Sequence, residues 1–162
     1  MIFGMTTFTF VHVAVSLVGI GSGLVVLAGL LTGQRRDGWT AVFLATTVAT
    51  SATGFGFPFF AFLPSHGVGI VSLVVLAVAI IARYAKHLAG AWRWIYAVGA
   101  VVALYLNVFV LIVQLFRKVP ALAAIAPTQS EPPFIVAQLV VMALFVALAI
   151  GAVKRLPDQP AP

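Results

Sequence analysis

A chain of 162 residues that is 63% hydrophobic and only 7% charged cannot cover its own surface in water, where a domain normally carries about 25% charged residues. The absence of cysteine excludes disulfides, iron–sulfur clusters and thiolate metal sites. The net charge of +6 reads as a surplus of Lys and Arg on one side of a membrane rather than as a nucleic-acid surface.

The apolar residues fall in blocks of about 20, the length that crosses a hydrocarbon core roughly 30 Å thick. Backbone groups in that core must be satisfied within each block, which calls for helices. A barrel needs strands that alternate in polarity, and runs such as residues 71–81 do not alternate. The N-terminus lacks a basic region, and its first apolar block is longer than a signal sequence, so that block is expected to stay as a helix.

Five spans are expected, in a single helical domain over residues 1–162. The first covers about residues 10–31, and its Gly19 and Gly23 have the spacing that lets helix backbones approach closely in a membrane. The second covers about residues 40–63. Its Thr46, Thr50 and Thr53 share one face, with Thr47 and Ser51 beside it, and such hydroxyls can bond the carbonyls of the preceding turn. That favours packing over ligand lining. Pro58 removes a backbone donor and is expected to kink the outer end. The third span covers about residues 67–82. A basic, aromatic connection follows, with Arg83, Lys86, His87, Trp92, Arg93 and Trp94 as interfacial anchors. The fourth span covers about residues 95–116. The loop 117–132 contains an apolar stretch too short to span, which suits an interfacial helix or a lid, and the fifth span covers about residues 133–153.

Arg35, Arg36, Arg83, Lys86, Arg93, Lys154 and Arg155 fall on one side of this arrangement, and only Arg117 and Lys118 on the other. The richer side is expected to be cytoplasmic, which puts the N-terminus and loop 117–132 outside and the C-terminus inside. No inverted repeat of the kind found in many secondary transporters is present.

Polar groups inside a membrane are costly and tend to face the bundle interior, and here they gather by depth. His12, His66, Asn107, Gln114 and Gln138, with Ser16 and Ser72, all fall in the outer half. Tyr105 adds a donor, and Glu131 is the single acid of the outer loops. Glu131 suits capping of the fifth helix, or ion binding beside Arg117, Lys118 or His66. Three readings of this polar zone compete. In one, the side chains bridge helices and hold water. In another, His12 and His66 ligate a metal or a b-type haem. In the third, the zone binds a small amphipathic molecule such as a quinone or lipid, with Tyr105, Asn107 and Gln114 as donors. Paired carboxylates, phosphate-cradling loops and metalloprotease motifs, nucleophile triads and nucleic-acid modules are not present in the sequence.

The strings Thr53-Gly54-Phe55-Gly56-Phe57-Pro58, Pro64-Ser65-His66-Gly67-Val68-Gly69-Ile70 and Ala126-Pro127-Thr128-Gln129-Ser130-Glu131-Pro132-Pro133-Phe134 resemble those of a family of small bacterial polytopic inner-membrane proteins with no assigned activity. The resemblance implies a helical bundle in a bacterial inner membrane and implies no chemistry. The sequence thus suggests an all-α membrane bundle that binds a ligand or partner at its outer half, in an accessory or anchor role rather than as an enzyme. Expected partners are membrane lipids, another membrane protein or a second copy of the chain, and not nucleic acid. The alternatives are a haem- or quinone-dependent electron-transfer protein and a small-solute transporter.

Overall fold

The Thr6 hydroxyl accepts the Thr9 backbone N–H at 3.2 Å and so opens helix α1, Thr7–Thr32. The computed structural model describes residues 6–57 and 64–156. α1 ends where Gly33 takes up φ +68, a left-handed turn that costs glycine little. The Gln34 N–H then bonds Gly29 O at 2.8 Å, which satisfies a carbonyl the helix end would leave bare. α2 is Asp37–Gly54. α3, Pro64–Ile80, runs on into a π-helical turn, Ile81–Ala85, in which the Lys86 N–H bonds Ile81 O at 2.9 Å. His87, Leu88 and Gly90 all adopt positive φ in the turn into α4, Trp92–Lys118. The short α5, Pro120–Ile125, precedes α6, Pro132–Lys154. There is no strand among the described residues.

Four helical segments are long and apolar enough to cross a membrane: Thr7–Thr32, His66–Ala85, Trp92–Lys118 and Pro132–Lys154. The chain is an all-helical membrane bundle, roughly in line with the expected five spans. α2 is the element that departs from expectation. Its 18 residues reach about 27 Å at 1.5 Å per residue, and its threonines and serine lower its hydropathy. Residues 58–63, the outer end of the expected second span, lie outside the described residues, and so does the kink expected at Pro58. At the other helices the boundaries differ from expectation by at most a turn, as caps and frayed ends make usual.

α1 packs on α2, α2 on α3, α3 on α4 and α4 back on α1, and α6 lies outside this ring against α4 and α1. Gly19 and Gly23 form the expected packing face. A Cβ at Gly23 would stand 2.7 Å from Leu104 Cδ1 and 2.9 Å from Phe43 Cδ2, so the missing side chain is what lets α1 seat against both α2 and α4. Around that contact Val26, Leu27, Phe43, Leu44, Leu76, Val101 and Leu104 are buried. These residues come from the C-terminal halves of α1 and α3 and the N-terminal halves of α2 and α4. Solid apolar packing therefore fills the half of the bundle nearest the basic connections. α6 turns Ile135, Val136, Leu139, Val140, Leu144 and Val146 outward, as a lipid-facing helix should.

Candidate functional site

The opposite half of the ring is hollow. A cavity of about 520 Å³ lies between α1, α2, α3 and α4, and every helix contributes its end farthest from the basic connections. α1 supplies His12 and Ser16, α2 supplies Thr50, Ser51 and Phe55, α3 supplies His66, Gly69 and Ser72, and α4 supplies Asn107 and Gln114. The walls between these groups are apolar, with Leu17, Ile20, Leu106, Val110 and Leu111 among them.

Helix geometry explains why α4 presents an amide pair. Asn107 and Gln114 are two turns apart on one face, and Leu111 and Lys118 continue that stripe along the cavity. The Asn107 amide Nδ2 donates to Thr47 Oγ1 at 3.3 Å and ties α4 to α2. Across the ring, Ser51 donates to Ser72 at 2.9 Å and joins α2 to α3. His66 is buried, with its ring stacked on Phe55 at 5.8 Å between centroids.

His12 is oriented from α2. Its Nδ1 lies 2.8 Å from Thr53 Oγ1, and that hydroxyl already gives its single proton to Ala49 O at 2.7 Å. The network therefore assigns the proton to His12 Nδ1 and leaves Nε2 as the lone-pair nitrogen of the neutral ring. Phe57 meets the same ring edge-on, 5.1 Å between centroids. This is the arrangement in which a histidine is held by one nitrogen and available at the other. A multidentate ion site of His, Asp and Glu is a different matter: no group of three or more gathers among the described residues. His12 and His66 line one cavity from two helices.

The buried Thr50 hydroxyl has no hydrogen-bond partner. Thr46 and Thr53 bond back to their own helix, at 2.7 Å to Val42 O and Ala49 O, as expected for that stripe. Thr50 lies on the same stripe and borders the cavity, but its oxygen is fully covered and has no match in the protein.

The other sequence candidates lie elsewhere. Tyr105 packs among Phe109 and Phe145, with centroids 6.2 and 5.7 Å away, on the α4–α6 side. Gln138, buried on α6, donates to Phe109 O at 3.2 Å, so it joins α6 to α4 and does not line the cavity. None of the residues of α5 lines the cavity either; α5 packs on α4.

Glu131 occupies the N-cap position of α6, but its carboxylate makes no bond to that helix. The first two helical positions are Pro132 and Pro133, which have no N–H, and the Phe134 N–H is engaged by Glu131's own carbonyl at 3.1 Å. The carboxylate turns back instead. Its Oε1 accepts the Thr128 hydroxyl at 2.8 Å and the Thr128 N–H at 3.1 Å, and its Oε2 accepts the Ser130 N–H at 3.1 Å. No ion pair joins it to Arg117 or Lys118 among the described residues. Partial desolvation pushes the carboxyl up, but the bonds from Thr128 and from the backbone of Glu131 and Ser130 outweigh it and hold the group below the usual carboxylate range. A depressed carboxylate stabilises the turn fully above the ordinary glutamate value of about 4.3 and loses that contribution as pH falls through the folded value. Proteolysis at 126–131 is therefore expected to rise only at acid pH in the native chain, and already at neutral pH in Glu131→Gln. Equal cleavage of the two chains at neutral pH would remove the carboxylate from this role.

No family model matches the chain, and no curated protein or solved structure is significantly similar to it.

Proposed function

We propose that this membrane protein takes a small amphipathic molecule of the quinone or lipid class into the cavity between α1, α2, α3 and α4, and serves as an accessory or anchor subunit rather than as an enzyme. The observation that carries the reading is the cavity itself. Its size falls in the range of about 300–1,000 Å³ typical of small-molecule sites, and apolar walls with a few placed polar groups are what such sites have. His12, His66, Asn107 and Gln114 provide the polar contacts. The Lys and Arg surplus at the other end of the bundle supports placing the cavity on the outer side of the membrane, with the N-terminus outside and the C-terminus inside. In the bacterial inner membrane, which the sequence resemblance implies, that is the periplasmic side.

The His12 geometry favours one second reading, in which His12 and His66 serve as axial ligands of a b-type haem in electron transfer. A single preparation separates the two. Purified protein is scanned oxidised and dithionite-reduced, its organic extract is analysed by mass spectrometry, and its thermal midpoint is measured with and without decylubiquinone. A midpoint raised by the quinone, or a co-extracted amphipathic molecule, supports the proposal. A redox-responsive haem band lost in His12→Ala and His66→Ala replaces it with the haem reading. A colourless protein with neither a co-extracted molecule nor a quinone response would leave the cavity residues a packing role only. Solute flux in vesicles, lost in Asn107→Ala or Gln114→Ala, would point instead to transport.

A further inference from the structure

A second recess lies at the opposite, basic end of the bundle. It is small, about 80 Å³, and its chemistry differs from that of the large cavity. The α1–α2 connection contributes Arg35 and Arg36, the π-helical turn contributes Arg83, and the first turn of α4 contributes Arg93. Four guanidinium groups, two from the α1–α2 connection and two from either side of the α3–α4 connection, thus line one recess. The only acid near them among the described residues is Asp37, which pairs with Arg83.

The recess is built rather than incidental. The Arg83 side chain is only 11% exposed, and its guanidinium lies 5.3 Å from the Tyr96 ring centroid and 5.6 Å from that of Tyr84, which fixes its plane. Arg36 is held by its Nη2 to Gln34 Oε1 at 3.2 Å. Behind the charges, Val26, Leu30, Leu88 and Leu156 form an apolar wall. Leu88 reaches it from a backbone at φ +59, a conformation rare for a non-glycine residue. All three tryptophans of the chain, Trp39, Trp92 and Trp94, cluster in sequence around these same connections. Trp39 and Trp94 are half exposed, as side chains at the membrane–water interface are. The recess therefore lies at headgroup level.

We infer that this recess binds the phosphate of an anionic phospholipid headgroup, with Arg35, Arg36 and Arg93 as the donors and Arg83 as their fixed positive floor. Guanidinium forks match phosphate oxygens two at a time, and basic pockets between membrane helices are suited to such headgroups. The apolar wall favours a lipid over a free phosphate ion, because the ion has nothing to place against Leu30, Leu88 and Leu156.

The test uses delipidated full-length protein in dodecyl maltoside and reads tryptophan fluorescence quenched by lipids with brominated acyl chains. Phosphatidylglycerol is expected to quench at lower mole fraction than phosphatidylcholine. The double variant Arg35→Gln/Arg36→Gln should weaken that preference about 30-fold, at about 1 kcal/mol for each basic residue at an anionic surface. Both side chains are exposed, so the unliganded thermal midpoint should stay unchanged. If millimolar inorganic phosphate displaces phosphatidylglycerol and alone raises the midpoint as much, the phosphate site stands and the lipid as its source does not. Equal quenching by the two lipids, or a preference that survives in the double variant, overturns the inference.

Discussion

Gly23→Leu is expected to destabilise the bundle by about 3 kcal/mol, the upper part of the usual cost of overpacking a core. The first atom of any side chain there would fall 2.7 Å from Leu104 and 2.9 Å from Phe43. Neither neighbour has room to retreat, because both are only 1% exposed. α1 would have to part from α2 and α4 together, and apolar side chains have no preference for protein over lipid that would draw the helices back. Gly21→Leu is the matched control. It lies on the same helix two residues away, and a Cβ there meets nothing within 4 Å. The control should shift stability by no more than about 0.5 kcal/mol, as surface substitutions do. Titration with sodium dodecyl sulfate out of dodecyl maltoside, followed by helix signal, compares the two. Equal midpoints for both variants would show that the Gly23 contact does not hold the ring closed.

That contact also bears on how much of the molecule is written in its sequence. Blocks of about 20 apolar residues are a strong signal because the bilayer sets their length, and so the membrane helices are readable directly. α2 is the exception for a stated reason. It carries Thr40, Thr46, Thr47, Thr50, Ser51 and Thr53 within 18 residues, and it lies between α1 and α3, where hydroxyls find partners that lipid would not give.

For the cavity, depth was legible and facing was not. His12, His66, Asn107, Gln114, Ser16 and Ser72 share a level in the sequence and also share the cavity. Tyr105 and Gln138 share that level but belong to the α4–α6 contact. Tyr105 is two residues from Asn107, which on a helix of 3.6 residues per turn puts it on nearly the opposite face. A single sequence does not reveal which face of α4 meets α6. Thr53 was legible as part of a stripe, but its bond to His12 spans two helices and depends on their relative rotation. Glu131 was readable as an N-cap by position. The two prolines after it, which remove the N–H groups of the first two helical positions, were also in the sequence and carried the signal that its carboxylate would turn elsewhere.

The cavity is tested most severely by filling it. Ser16 lines the hollow from α1, and among the described residues its hydroxyl bonds only within its own helix, to His12 O at 2.7 Å. Ser16→Trp therefore removes no contact between helices and places an indole in the space a ligand would occupy. Binding of decylubiquinone is expected to fall by at least about 100-fold. A ligand at 100 times its Kd stabilises the folded state by about 2.7 kcal/mol, and that increment should vanish in Ser16→Trp while the ligand-free midpoint moves little. Ser16→Ala, which leaves the space open, should keep the quinone response. This pairing separates volume from chemistry, because both variants lose the hydroxyl and only one loses the room. If the tryptophan variant still responds to the quinone as the native chain does, the molecule binds outside this ring of helices and the proposed site is wrong. If the alanine variant loses the response too, the hydroxyl rather than the space governs binding. The cavity walls would then matter less than the polar edge formed by His12 and Ser16.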